Sequence, residues 1–275
     1  MTTDYQPPQR PSGPRLIVFS DLDGTLLDHD SYSWAAAEPA LGRMRALGIP
    51  LILASSKTAA EIAELRAEMG FDHAPAIVEN GAGVLAPGAG ALNDRSAHEK
   101  IRAALAELPA ALRQGFTGFS DWSVAEVAQH TGLSPAQAEL AARRQFSEPG
   151  LWTGSDAGRR AFEAALQAKG IEARQGGRYL TLSFGATKAD RMAEITADYR
   201  SHPVTMALGD APNDVEMIAM ADHGVVVRNS HGPGIPALPG EKSGRITRTQ
   251  RPGPEGWRLA VLERIAQEYE EEKEG

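Results

Sequence analysis

The stretch Leu16-Ile17-Val18-Phe19-Ser20-Asp21-Leu22-Asp23-Gly24-Thr25-Leu26 decides how this chain is read. Its first half is a continuous apolar run rather than an alternating one, the pattern of a strand buried on both faces. It stops abruptly at two acids and a glycine. Three more runs behave alike: Leu51–Ala54, Ala76–Val78 and Val204–Leu208, each ending in polar or glycine-rich turns. A fifth, Val225–Val227, follows a helical segment. Between the first two runs, Trp34–Leu47 carries Leu41, Met44 and Leu47 at helical spacing, with Gly48 where a helix would stop. Residues 58–69 repeat the scheme and are followed by Gly70. Strand, helix and strand in this rhythm predict an α/β fold, a doubly wound parallel sheet with helices on its faces.

The rhythm breaks after about residue 83. Residues 96–107, 123–130, 134–146 and 156–169 read as helices, with Ser134-Pro135 a good helix entry. Tyr179–Phe184 reads as a strand, and Val204 resumes the earlier pattern. The expectation is a core formed by residues 15–83 and 186–275, interrupted by an α+β insertion over 84–185. Residues 1–14, rich in proline, read as a disordered tail. Residues 230–256, rich in Gly, Pro and Arg, read as loop, and the acidic end from Glu268 to Gly275 reads as frayed.

The 275 residues are 42 % apolar, enough for a sizeable core, and the formal net charge is −8. No dense Lys/Arg run offers the basic stripe that nucleic acid demands. The absence of cysteine excludes a disulfide scaffold and a thiolate zinc site. No stretch reaches the roughly 18 apolar residues of a membrane span, and the start lacks the roughly 7–15-residue apolar core of a secretory signal. The expectation is a soluble, cytoplasmic protein, monomer or homodimer, acting on a small molecule.

In open parallel sheets, ligands bind beyond the carboxyl ends of the strands. At those ends stand Asp21 and Asp23, then Ser55-Ser56-Lys57-Thr58, then Gly209-Asp210-Ala211-Pro212-Asn213-Asp214. Lys188 precedes the fourth strand, on an expected helix over Thr187–Tyr199. Each piece alone has a plain structural reading: a capped turn, a serine after a strand, a surface lysine. Together they fit phosphoryl transfer. Asp21 and Asp210 supply carboxylates for a hard cation such as Mg²⁺. Asp21 can attack phosphorus, and Asp23 can protonate the leaving oxygen and then activate water. Ser55 would bond a phosphoryl oxygen, Lys188 would neutralise developing charge, and Gly24 permits a tight turn toward phosphate.

These segments resemble the four motifs of the haloacid dehalogenase (HAD) superfamily: Phe19–Leu26, Ser55, Lys188 and Gly209-Asp210-x-x-Asn213-Asp214. The resemblance implies a Rossmannoid core, Mg²⁺ and an aspartyl-phosphate intermediate. It makes Asp21 nucleophile and ligand, Asp23 acid/base and a ligand through its backbone carbonyl, Asp210 a ligand, and Asp214 a ligand or the holder of a metal-bound water. The insertion's position resembles a C2-type cap, and its α+β content is similar to the Cof-like, or IIB, branch. Asp21–Tyr32, Ser55–Thr58, Val78–Gly81, Arg144–Pro149 and Gly176–Tyr179 look most like the mannosyl-3-phosphoglycerate phosphatases. That likeness implies a substrate with a phosphate, a carboxylate and several hydroxyls, and a product of compatible-solute type, mannosylglycerate. Arg178 or Arg144 would then pair with the carboxylate. Thr25, Ser56, Lys57 and Asn213 complete the expected substrate contacts. A sucrose- or trehalose-phosphate type phosphatase and a phosphomannomutase-like phosphotransferase are the rival readings.

Overall fold

The computed structural model describes residues 13–90, 94–232 and 234–269. Twelve residues of the expected N-terminal tail, and residues 270–275 of the acidic end, lie outside them. Five strands form a parallel sheet: β1 (Leu16–Ser20), β2 (Leu51–Leu53), β9 (Val204–Gly209), β10 (His223–Arg228) and β11 (Ile246–Pro252), in the order β11-β10-β9-β1-β2. In β1, Ser20 pairs with Leu53 on one side and Leu208 on the other. The carboxyl ends of three strands therefore finish together.

Alternate residues of each strand point to opposite faces, and each face has its own core. Leu16, Val18, Leu51, Leu53, Met206 and Leu208 meet α1 (Glu38–Leu47) and α10 (Gly253–Tyr269), through Leu41, Met44, Trp257, Val261 and Ile265. Ile17, Phe19, Ile52 and Ala207 meet α8 (Lys188–Ala197) and α9 (Val215–Met220), through Met192, Ile195 and Met217. Near β2, α2 (Ala59–Glu68) starts at Thr58, whose side chain forms a reciprocal capping box with Glu61. As expected, Gly48 closes α1 in the left-handed region, with φ 65°.

Two expectations for this sheet are corrected. The run Ala76–Val78 is strand β3 and runs parallel beside the end of β2, through the Ala54–Ile77 bridge and the Ser55 N–H bond to the Ile77 carbonyl at 3.0 Å, but its own ladder is antiparallel, with β4 (Gly83–Leu85), outside the five-stranded sheet. Residues 230–256 are not all loop. They contain β11 and the start of α10. An edge strand has one neighbour and one largely solvated face, so Ile246-Thr-Arg-Thr-Gln-Arg-Pro252 shows almost no apolar signal.

The middle of the chain holds α3 (Ser96–Ala106), α4 (Ala110–Arg113), β5 (Phe116–Gly118), α5 (Val124–Thr131), α6 (Pro135–Ala141), β6 (Glu148–Trp152), α7 (Asp156–Gln167), β7 (Glu172–Gly176) and β8 (Tyr179–Ser183). Its strands make a second, antiparallel sheet in the order β5-β6-β8-β7. Ile101 and Leu105 of α3 and Phe162 and Leu166 of α7 pack on Phe116, Leu180 and Leu182 of that sheet. Of its four strands the sequence predicted only β8, because β6 contains Pro149 and Gly150 and β7 is polar and mostly exposed.

The helix expected over 134–146 ends at Ala141. The backbone N–H groups of Gln145 and Phe146 donate to the Glu79 carboxylate at 2.9 and 3.2 Å instead of to helix carbonyls. The Leu140 carbonyl accepts from the Thr58 hydroxyl at 2.9 Å. The second sheet's helical layer is thus tied to the core by named polar contacts. Among the described residues, no helix is long and apolar enough to cross a membrane.

Candidate active site

Asp21 stands one residue past β1, with its backbone N–H donated to the Leu208 carbonyl at 2.9 Å. That bond carries the β1–β9 ladder one step further and fixes the carboxylate at the sheet edge. Beneath it, the indole N–H of fully buried Trp257 donates to the Ser20 hydroxyl at 2.9 Å. The next turn folds back so that the Gly24 N–H reaches the Leu27 carbonyl at 2.9 Å. Gly24 has φ 83°, and a Cβ there would lie 2.6 Å from Asn229 Nδ2 and 3.1 Å from Asp210 Oδ2. Only glycine lets this turn approach so closely.

Lys188 is the first residue of α8, which is entered through a capping box between Thr187 and Asp190. Its ammonium, almost wholly buried, donates to Asp21 Oδ1 at 2.6 Å and to Asp214 Oδ1 at 2.7 Å. Burial alone would push the lysine toward neutrality. The two carboxylates outweigh it and hold the charge above the usual lysine range. Asp214 is fully buried, and its other oxygen accepts from the backbone N–H groups of Asp210 and Ala211 at 3.2 and 3.1 Å. Asp210 accepts from the Thr25 hydroxyl and from Asn229 Nδ2, each at 2.6 Å.

Asp21, Asp210 and Asp214 each place one carboxylate oxygen within 4.8 Å of the others. Three buried acids face one lysine, a net excess of negative charge. Burial, then the Asp214 charge, raises Asp21 well above the usual carboxylate range despite Lys188. Burial also raises Asp210, against the lowering effect of its bonds from Asn229 and Thr25. A divalent cation would relieve both, and an all-oxygen donor set suits a hard ion. These residues therefore fit a Mg²⁺-type metal.

The remaining expected residues fall into two groups. Asp23 Oδ2 pairs with Lys57 Nζ at 3.1 Å, while the buried Asp23 Oδ1 has no hydrogen-bond partner among the described residues. Burial disfavours the Lys57 charge, yet the Asp23 and Glu61 carboxylates hold its pKa above the ordinary value. Ser55 is buried at the end of β2, its hydroxyl oxygen accepting from the Lys57 N–H at 3.3 Å. Ser56 is exposed, and the Asn213 amide reaches Asn80 Oδ1 at 3.2 Å.

Three expected substrate contacts have partners within the protein. The Thr25 hydroxyl is spent on Asp210. The Arg144 side chain is buried: it donates to the Ser56 carbonyl at 3.1 Å and Ser147 Oγ at 2.8 Å, and lies 3.4 Å from Glu79 Oε2. The buried guanidinium is thus paired with a carboxylate of the protein itself. Arg178 is exposed, lies over the Tyr179 ring and reaches the Thr131 carbonyl at 3.4 Å.

One important residue escaped the sequence reading: Asn229 stands just past β10, so its strand-end position was an available signal. Glu79 lay inside the Val78–Gly81 segment already singled out, but its anchoring role depends on a segment more than sixty residues away.

Between the two sheets lies a cavity of about 200 Å³. Lys188, Asn213 and Asn80 line it from below, and Arg174, Thr181 and Ser183 from above. A neighbouring cleft of about 180 Å³ runs past Ser56, Lys57, Arg144 and Tyr179.

The architecture is shared with solved phosphatase structures. A HAD-superfamily phosphatase, BT1666 of Bacteroides thetaiotaomicron, is 18 % identical, with a TM-score of 0.64 over 96 % of this chain and 99 % of its own. A haloacid dehalogenase-like hydrolase from the same organism is 21 % identical, with a TM-score of 0.63 over 92 % and 100 %. The sucrose-phosphatase of Synechocystis sp. PCC6803, solved with sucrose and phosphate, is 18 % identical, with a TM-score of 0.58 over 93 % and 98 %. These likenesses establish an α/β fold of the HAD type. The chain belongs to the haloacid dehalogenase-like hydrolase family, whose model matches residues 18–119 and 161–233.

Proposed function

We propose that this chain is a Mg²⁺-dependent phosphomonoesterase that works through a phosphoryl group on Asp21. The observation that carries the reading is the position of Lys188, bonded to Asp21 and Asp214 at once. A lysine so placed aims the Asp21 carboxylate and holds positive charge where a phosphoryl oxygen would gather negative charge. Asp21, Asp210 and Asp214 would hold the metal, with the Asp23 backbone carbonyl as a further donor, and the ion would supply charge neutralisation to the phosphate.

Asp21 attacks phosphorus, and the bond from phosphorus to the ester oxygen breaks. Asp23 gives that oxygen its proton, and Ser55 donates a hydrogen bond to a phosphoryl oxygen. Asp23 then takes a proton from the water that attacks the acyl-phosphate, releasing inorganic phosphate and restoring the Asp21 carboxylate. Residues 84–185 act as a cap over the cleft, excluding water until the acyl-phosphate has formed.

The substrate we favour is mannosyl-3-phosphoglycerate, hydrolysed to mannosylglycerate and phosphate. Support comes from the five short segments that resemble phosphatases of that type, and from a cleft rich in amide, hydroxyl and cationic groups. The Synechocystis neighbour, named for sucrose phosphate, keeps a sucrose- or trehalose-phosphate type as the second reading. The test is phosphate release, with Mg²⁺ and with EDTA, from mannosyl- and glucosyl-3-phosphoglycerate and a panel of sugar phosphates. Metal-dependent release from the glycosyl-phosphoglycerates alone supports the full reading. Release only from the other sugar phosphates overturns the substrate, and phosphate moved within a sugar without release overturns hydrolysis.

A further inference from the structure

Outside the acid cluster, two loops meet at a pair of histidines. His29 lies between β1 and α1, and His231 lies just past β10. Their rings stack with centroids 4.2 Å apart and planes 14° from parallel. Asp30 stands beside them, and one ligand atom from each of His29, Asp30 and His231 lies within 4.8 Å of the others. We propose that these three residues form a second, outer metal site for a borderline divalent transition ion such as Zn²⁺.

The donor chemistry separates this site from the acid cluster. Two imidazole nitrogens and one carboxylate oxygen suit Zn²⁺, whereas Mg²⁺ favours oxygen ligands alone. Zinc bonds of about 2.0–2.1 Å require ligand atoms roughly 3.3 Å apart in a tetrahedral site. All three residues are exposed, and turning the two rings out of their stack about χ1 and χ2 aims their in-plane nitrogens at one point and closes the gap, leaving the fourth position to water.

The backbones beneath the three residues are already fixed. Asp28 Oδ1 accepts from the N–H groups of Asp30 and Ser31 at 3.3 and 2.9 Å and from the Ser31 hydroxyl at 2.7 Å, which sets the turn carrying His29 and Asp30. The His231 N–H donates to Asn229 Oδ1 at 2.8 Å. A site built on pinned loops loses little backbone freedom on binding. The same Asn229 donates to Asp210, so an ion on His231 would brace the loop that positions an acid of the catalytic cluster.

The experiment uses tag-free, full-length protein in saturating Mg²⁺, so that the acid cluster is filled, and titrates Zn²⁺ calorimetrically. One Zn²⁺ per chain is expected. His231→Ala and His29→Ala should each weaken it at least tenfold, with unchanged circular dichroism, since both side chains are exposed. Co²⁺ in place of Zn²⁺ should give a visible ligand-field band that both variants lose. Asp21→Asn, which removes an acid of the cluster that does not touch Asn229, should leave the Zn²⁺ event in place. No uptake by the wild-type protein overturns the site. Wild-type affinity in both histidine variants also overturns it, as does loss of the event in Asp21→Asn, which would put the ion in the acid cluster.

Discussion

Replacing Glu79 by Gln should loosen the contact between the end of β3 and the segment that leads into β6. Glu79 is 1 % exposed and sits at φ 51° immediately after β3. Its Oε1 accepts from the Gln145 N–H at 2.9 Å, and its Oε2 accepts from the Phe146 N–H at 3.2 Å and from Ser147 Oγ at 2.7 Å. Both oxygens therefore face donors. Whichever way the glutamine amide is turned, its NH₂ meets at least one of them and a bond is lost. The buried Arg144 charge also loses its carboxylate partner. Breaking a buried pair by removing one charge costs about 3–5 kcal/mol. Arg144 keeps its bonds to the Ser56 carbonyl and to Ser147, so the low end, about 3 kcal/mol, is expected. Urea denaturation followed by circular dichroism should show the midpoint falling by about 1 M, at a slope near 3 kcal/mol per M. Phosphatase activity should fall with it, because Arg144 holds the strand-end loop of Ser55, Ser56 and Lys57. A variant within about 0.5 kcal/mol of the wild-type protein would refute the anchor.

Three other perturbations test separate parts of the account. Gly81→Ala puts a Cβ 2.1 Å from the Thr187 carbonyl carbon at φ 96°, so it should cost at least about 2 kcal/mol in denaturant and displace the start of α8; an unaltered midpoint would contradict this close approach. Asn229→Ala removes one of the two side-chain donors to Asp210 and should weaken Mg²⁺ about 10–100-fold by calorimetry, while equal affinity would separate Asn229 from the metal-holding group. Glu241 is held at about 2, chiefly by its hydrogen bond from Arg248. A depressed carboxyl pKa stabilises the fold above the unfolded value, and this stabilisation fades as pH falls through about 2. The stability gap between wild-type protein and Glu241→Gln should therefore be full near neutrality and shrink in acid; a gap independent of pH would remove this linkage.

The central part of the fold was legible because strands buried on both faces leave continuous apolar runs. Leu16–Ser20 is strand β1 at the bounds read from the sequence, and Val204 and Val225 lie in strands as expected. Elements exposed on one side were not legible. In β11 and β7 most side chains face water, so neither run carries a hydrophobic signature. The acids were visible because strand order places the ends of β1 and β9 side by side. Asn229 obeys the same rule at the end of β10 and was missed because an amide draws less notice than a carboxylate. The partners of the arginines were not legible for a general reason: sequence shows a cation but not what it meets. Arg144 was named for a substrate carboxylate, and the fold also places Glu79 beside it. Contacts such as that one join segments distant in sequence, and no local pattern announces them.

The central claim is that Asp21 takes the phosphoryl group. The direct measurement uses Asp23→Asn with Mg²⁺ and p-nitrophenyl phosphate, whose leaving group departs without a proton from Asp23. The account predicts a burst of p-nitrophenolate of about one per chain and then slow turnover, since the water lacks its base. Acid quenching, borohydride reduction and peptide mass analysis should then find Asp21 reduced to homoserine. No burst, and no modification of Asp21, under conditions where the wild-type protein hydrolyses the same ester, would contradict it.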